Sequence, residues 1–334
     1  MIQNQVTSID VAKLAGVSQP TVSRAFDPNS PVSPQTRERV LAAAAELGYM
    51  PNVIARSLKS RRTNIVGIVL HNLTASFFYP NVLEKFTLEL QSIGKQVLLF
   101  RAPRDRTVDE ILPQVLGYRV DALVIASTTP GRKIIHESTR TGTPVILLNR
   151  FAPETEANAV CCDNEDGGRQ VANAFLDAGH QRIAFIAGNR NTATNLIREK
   201  GFAEQLQARG YADLLIEQGA YSYEDGRSAA RRLLDRDDPP DAIFCAADVI
   251  ALGTLDAARY ELGIRVPEEL SIIGFDDIPM ASWPAYDLTT IRQPVDQMID
   301  AAIELICHEK DDIPTSVTKL LPGELVVRGS ARIA

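Results

Sequence analysis

The chain has 334 residues, 45% hydrophobic and 23% charged, with 35 Lys and Arg against 42 Asp and Glu for a net charge of −7. That length buries a substantial core and suggests two or three domains. The sequence has no apolar run of about 18 residues to span a membrane and no charged-then-apolar leader to mark export. Its four cysteines (Cys161, Cys162, Cys245, Cys307) show no CxxC spacing, and its four histidines are scattered. A disulfide framework and a zinc site are both disfavoured, and a reducing, cytoplasmic setting is expected.

The first sixty residues read as three short helices. Thr7 and Asp10 have N-cap spacing, Val11, Leu14 and Ala15 form an apolar face, and Gly16 supplies the left-handed stop. Ser18 caps a second helix that tolerates Pro20 in its first turn and turns Val22 and Phe26 inward. Ser33-Pro34 starts a third helix, 35–47, which ends at Gly48. Two helices joined around a glycine form a helix-turn-helix. The second helix then exposes Gln19, Thr21, Ser23 and Arg24, side chains suited to base edges and phosphates. Arg37 is expected to act on all DNA sequences alike.

Charge divides along the chain. Residues 1–62 hold eight Lys or Arg against four Asp or Glu, net +4, and the remainder holds 27 against 38, net −11. A basic head on an acidic body suits a polyanion-binding module attached to a sensor. From residue 63, apolar strands alternate with amphipathic helices. Strands are predicted at 65–70, 96–100, 122–126 and 144–149, then at 159–162, 183–187, 214–217, 242–246 and 270–274. Helices are predicted at 81–93 and 108–116, then near 165–178, 196–209, 224–235 and 249–262. Two such runs imply two lobes with doubly wound parallel sheets, and a ligand between them at the strand C-terminal ends.

No phosphate loop, dinucleotide fingerprint, Gly-x-Ser-x-Gly or His-Glu-x-x-His occurs. Gly167-Gly168 and Gly188 read as turn or packing glycines. Asp237-Asp238 and Asp311-Asp312 read as solvated turns. No catalytic residue, metal or cofactor is expected, and an enzyme is disfavoured.

The motifs, in order, are Asp10-Val11-Ala12 to Leu14-Ala15-Gly16-Val17-Ser18, Thr21-Val22-Ser23-Arg24, Leu47-Gly48-Tyr49, Pro51-Asn52 and Ala55-Arg56-Ser57-Leu58. They continue with Asp163-Asn164, Gly179-His180, Arg198 with Gly201-Phe202, Val266-Pro267-Glu268-Glu269, Gly274-Phe275-Asp276-Asp277 and Leu288-Thr289-Thr290-Ile291-Arg292-Gln293-Pro294. With these the chain resembles the LacI/GalR family of transcriptional regulators over essentially its full length. The resemblance implies an N-terminal all-α helix-turn-helix DNA-binding domain on an α/β two-lobe core like that of periplasmic binding proteins. The divisions expected are a headpiece at 1–50, a hinge at 51–62 and a core at 63–334. The core comprises an N-lobe of about 63–161 and 292–321 and a C-lobe of about 162–291 and 322–334, with three crossings near 161–163, 290–293 and 321–324.

The same resemblance places the sites. On DNA it implies Thr7, Ser18, Gln19, Pro20, Thr21, Ser23 and Arg24, with Gln19 and Pro20 at the operator-dependent positions and Asn29 and Tyr49 on the backbone. Asn52, Ala55 and Leu58 belong to a hinge helix that folds when two copies pair on DNA, Leu58 wedging a base step. In the cleft it implies Phe77, Phe78, Asn149, Arg198, Tyr221, Asp276 and Gln293, with at least one of the two phenylalanines serving as core. Ala247-Asp248 stands where the family has Asn-Asp, so one ligand contact is missing. The partners implied are a palindromic operator duplex, a small-molecule effector and a second copy of the chain, but no membrane. No leucine heptad follows the last strand, so a dimer is expected. The effector expected first is a sugar, with a sugar acid, polyol or nucleobase as alternatives. Repression is the first expectation, and corepressor-dependent or activating control the alternative.

Overall fold

The computed structural model describes residues 6–27, 30–51, 63–70, 77–102, 108–126, 131–151, 157–190, 192–307 and 316–333. The chain divides into two compact units, Met1–Thr63 and Asn64–Ala334. The positions read as backbone and minor-groove contacts, Asn29, Asn52, Ala55 and Leu58, and nearly all of the hinge lie outside the described residues.

In the first unit, helices α1 (Ser8–Ala15), α2 (Gln19–Ala25) and α3 (Pro34–Leu47) surround Val11, Ala12, Ala15, Val22, Ala25, Val40, Ala43 and Ala44. Alanines let the helices approach closely, and each buried valine contributes about 1.5–3 kcal/mol. The Asp10 carboxylate accepts from the Thr7 N–H (2.9 Å) and hydroxyl (2.7 Å), which closes the start of α1. Gly16 and Gly48 both end helices in the left-handed conformation (φ 63° and 64°). In each case the next residue returns an N–H to the helix, Val17 to Ala12 O and Tyr49 to Ala44 O. Leu14 departs from expectation. It is about half exposed, and Ala12 takes its place on the buried face, because α1 meets both other helices along Val11, Ala12 and Ala15.

Arg37 has a structural task that its sequence position did not reveal. Its guanidinium donates to the carbonyls of Ala25 (2.6 Å), Asp27 (2.8 Å) and Ser30 (3.0 Å). It thus satisfies the open C-terminal end of α2 and fixes the turn that follows. Arg37→Ala is expected to destabilise the headpiece by about 2 kcal/mol, a value typical of lost hydrogen bonds to a charged donor. Amide exchange in α2 and α3 should then quicken roughly 30-fold, while exchange in the second unit stays unchanged.

The second unit holds two six-stranded sheets. One comprises β1 (Ile65–Leu70), β2 (Gln96–Arg101), β3 (Ala122–Ala126), β4 (Val145–Leu148), β5 (Asn158–Cys162) and β11 (Thr318–Leu321), in the order β2-β1-β3-β4-β5-β11 and all parallel. The other comprises β6 (Ile183–Ala187), β7 (Leu215–Gln218), β8 (Ala242–Cys245), β9 (Ser271–Asp276), β10 (Thr289–Arg292) and β12 (Glu324–Val326), ordered β7-β6-β8-β9-β10-β12, with only β12 antiparallel. The interior strands are buried apolar runs, as parallel sheets covered on both faces require. The helices that cover them are α4 (Phe78–Ser92), α5 (Val108–Gly117), α6 (Arg132–Thr141), α7 (Asn164–Asp177), α8 (Ala193–Ala208), α9 (Tyr223–Leu234), α10 (Asp248–Asp256) and α11 (Val295–Cys307).

Three of these elements correct the sequence reading. Helix α4 begins at Phe78 rather than near residue 81, because Pro80 is accommodated in a first turn and does not delay it. The segment read as one helix over 249–262 is α10 followed by a π-helical turn, Ala257–Glu261. Residues 290–292 of the crossing expected at 290–293 lie in strand β10, and the chain crosses only after it.

The chain passes between the sheets after Cys162, after Arg292 and between Leu321 and Glu324. The crossings are packed side by side. The Asp163 N–H donates to Leu321 O at 2.7 Å, and Gln170 Nε2 donates to Gly323 O at 3.0 Å. A Cβ on Gly323 would lie 2.8 Å from Ile291 Cγ2 and 3.2 Å from Cys162 Sγ, so only glycine fits between the other two crossings.

Candidate functional site

Two surfaces gather the residues singled out above. On the headpiece, Ser18, Gln19, Pro20, Ser23 and Arg24 are exposed on one short helix and its cap, and Thr21 is half-buried. Gln19 Nε2 donates to Ser8 Oγ at 3.0 Å, and the Ser18 and Thr21 hydroxyls bond each other at 2.9 Å. Arg24 closes the last turn of α2 and has no side-chain partner among the described residues. Thr7 spends its hydroxyl on Asp10. Tyr49 packs on the headpiece core with its ring 6.0 Å from that of Phe26.

The second surface lies in the cleft of the larger unit, at the C-terminal ends of the strands. Arg198, on α8, is its centre and is 2% exposed. Its Nε donates to Asn164 Oδ1 (2.8 Å), Nη1 donates to Ala246 O (2.5 Å), and Nη2 lies 3.6 Å from Asp276 Oδ1. The guanidinium lies 3.5 Å from the centroid of the Phe275 ring. Glycines make this placement possible. A Cβ on Gly168 would lie 2.5 Å from Arg198 O, and one on Gly201 would lie 2.1 Å from Glu165 O, so α7 and α8 meet backbone to backbone. Below them Phe175, Phe185, Phe202 and Phe244 form an aromatic cluster with centroids 5.0–6.2 Å apart.

Asp276 ends β9 with φ 128°, and Asn149 follows β4 with φ 54°. Backbone strain of this kind gathers at ligand sites. Gln293 Nε2 donates to Asp276 Oδ1 at 2.6 Å. Burial raises the Asp276 carboxyl above the usual carboxylate range, opposed by the Arg198 charge and the Gln293 hydrogen bond. Three buried polar atoms, Asn149 Oδ1, Arg150 Nε and Gln293 Oε1, have no hydrogen-bond partner among the described residues. Such atoms in a cleft mark places where a ligand completes the hydrogen bonding.

Phe77, Phe78, Asp276 and Gln293 line a cavity of about 260 Å³ together with Asn81, Lys85 and Arg292. Phe77 is exposed, while Phe78 is 4% exposed and belongs to the core that it borders. Asn149, Arg198 and Tyr221 do not line that cavity. Tyr221 instead packs over Gly188, where a Cβ would meet its ring at 2.4 Å, and its hydroxyl is 3.4 Å from Thr192 Oγ1. Tyr79, in the first turn of α4, packs edge-on against Phe78 with ring centroids 5.4 Å apart. Burial first, and the Asp276 carboxylate after it, push its hydroxyl upward, opposed by the Arg150 and Arg198 guanidinium groups. Sequence reasoning missed Tyr79, Arg150 and Asn164. Tyr79 stood in an aromatic run before a proline, Arg150 adjoined Asn149, and Asn164 stood in a motif that assigned it no contact.

Ala247 is buried and makes no side-chain cap at the start of α10. Asp248 beside it is fully buried and accepts from Ile278 N–H (2.8 Å) and the Thr290 hydroxyl (2.5 Å). It thereby ties the loop after β9 to the strand that leads into the second crossing. Burial first, and the Asp276 charge second, raise its carboxyl above the usual range. The folded state therefore holds these protons more tightly than the unfolded chain does, and stability from this source falls as pH rises above about 4. Asp248→Asn should flatten the difference between melting temperatures at pH 5 and pH 8 relative to wild type. An unchanged difference would show that Asp248 is ionised in the fold.

The described cysteines are all free, with Cys161, Cys162 and Cys245 buried and Cys307 exposed. Burial pushes each of the first three thiols up to about 12. No described group of acidic, His or Cys side chains could hold a metal, and no described helix is long and apolar enough to cross a membrane.

Residues 8–52 match the family of bacterial regulatory proteins, lacI family, and residues 172–331 match a periplasmic binding protein-like domain. The chain is 34% identical over 329 residues to the HTH-type transcriptional regulator CelR of Thermobifida fusca, covering 96% of each sequence. Among solved structures, the lac repressor dimer bound to operator and the anti-inducer ONPF is similar with a TM-score of 0.87, 28% identity, and coverage of 99% of this chain and 100% of that one. A complex of the transcriptional regulator CelR with cellobiose is similar with a TM-score of 0.72, 31% identity, and coverage of 98% and 100%.

Proposed function

Since the chain belongs to the LacI family of bacterial regulatory proteins, we propose that a sugar or sugar derivative bound in its cleft sets the affinity of its headpiece for a palindromic operator. The protein is a DNA-binding transcriptional regulator and not an enzyme. It acts as a homodimer and as a repressor, in the bacterial cytoplasm where its operator lies. The observation that carries the effector reading is the pair of unpartnered buried atoms at the strand ends, Asn149 Oδ1 after β4 and Gln293 Oε1 on the side chain that bonds Asp276, the partner of Arg198. Hydroxyl groups of a polyhydroxylated ring complete such atoms, and aromatic side chains such as Phe77 and Tyr221 cover its apolar faces. Only a ligand that binds the two lobe arrangements with different affinity shifts operator binding.

On the DNA side, the exposed and unpartnered Arg24 is assigned to base readout and Gln19 to a neighbouring base once it leaves Ser8. Arg24→Ala is expected to cost roughly 1–3 kcal/mol per half-site and to relax preference at one base pair. Anisotropy titrations against an operator and its single-base variants check this. Uniform weakening across the variants would make Arg24 a phosphate anchor.

A further inference from the structure

Most charges around the cleft are matched. Arg198 faces Asp276 at 3.6 Å, Arg292 and Arg328 each bond Asp277 at 2.7 Å, and Lys85 bonds Asp296 at 2.6 Å. Arg150 has no such match. It follows β4 directly after Asn149, and its carbonyl accepts from Cys161 Sγ at 2.8 Å, which holds its backbone against β5. Its guanidinium has no acidic partner among the described residues, and its Nε is buried without an acceptor. The neighbouring residue at the strand end, Asn149, is neutral.

The free side-chain atoms thus have a pattern. Arg150 offers a cation and an unused N–H, while Asn149 Oδ1 and Gln293 Oε1 offer acceptors that need donors. A neutral sugar would supply hydroxyl donors but would leave the cation unbalanced. A partly buried guanidinium whose Nε is shut from water without an acceptor is well satisfied by an oxyanion, which it meets with two parallel N–H donors. We propose that the effector is a polyhydroxylated acid whose carboxylate or phosphate lies on the Arg150 guanidinium, with hydroxyl groups on Asn149 and Gln293. This rests on the reading of the cleft as the effector site and narrows the chemical class within it.

Matched ligands test it on the full-length chain. Glucose, gluconate, glucuronate and glucose 6-phosphate, and the four galactose counterparts, are titrated while the melting temperature is followed, because a ligand specific for the native state raises it. At least one acid is expected to bind about tenfold or more tightly than its neutral parent, since one charge-assisted contact is worth at least that ratio. The uronate and phosphate arms tell carboxylate from phosphate. Arg150→Gln should erase the advantage of the acid, and Arg150→Lys should keep part of it. Far-UV circular dichroism without ligand reports whether each variant folds. If the glutamine variant does not fold, the comparison of acid with parent in the wild type still decides. A neutral sugar that binds as tightly as its acid overturns the charge assignment and leaves the effector cleft standing. A panel in which no member shifts the melting temperature overturns the acid, and operator binding indifferent to every member overturns the effector reading as well.

Discussion

Operator affinity is expected to fall about a thousandfold between roughly 50 and 200 mM salt, because two heads of net +4 displace counterions from several phosphates. The −7 charge of the whole chain would predict repulsion from DNA. The first 62 residues reverse that sign locally, and salt confines the reach of each charge to about 8–10 Å. Of their eight cationic residues, Arg37 is already committed to three backbone carbonyls. Lys13, Arg24 and Arg39 are exposed on the helices. A plot of log Kd against log salt with a slope near zero, or one chain bound per palindrome, would refute the dimeric, phosphate-anchored mode.

Arg198→Ala is expected to abolish the effector response, and the structure adds a second consequence. The guanidinium is buried, stacked on Phe275, and serves Asn164, Ala246 and Asp276 together. Its loss leaves Asp276 buried without its cation, a change that costs about 3–5 kcal/mol. Asp276 then takes up a proton, which moderates the loss below neutral pH. Asp276→Asn keeps an acceptor for Gln293 and should fold better while responding as poorly. Operator titrations with and without effector, alongside urea unfolding, separate the two effects. An Arg198→Ala protein that keeps both full stability and wild-type effector affinity would show that the side chain is dispensable. It would also shift the site toward Phe77, Asn149 and Gln293.

Much of this is legible in the sequence. Capping residues, helix-stopping glycines and strand-like apolar runs act over a few residues, so α1 to α3, β1, β3 and β6 follow from local rules. The basic head was legible because charge is additive along the chain. Helix α4 starts three residues before the local pattern predicts, because Pro80 stops a helix or starts one according to what precedes it, and Phe78 is drawn in by the core beneath it. Leu14 was misplaced because a helix of two turns shows its buried face only against its neighbours.

The sequence alone determined the class of molecule: a basic helix-turn-helix head, two parallel sheets, and a set of polar residues at strand ends. Tertiary structure decided which of those residues share a site and what each is free to do. Arg24 and Arg37 look alike in a list of charges, yet one reaches solvent and the other closes a turn. Arg150 and Arg198 likewise differ only in their surroundings, one without a counterion among the described residues and the other paired with Asp276. Hydrogen bonds and ion pairs between residues distant in the chain depend on how the strands are ordered and crossed. That order is a property of the whole packed core and not of any local segment.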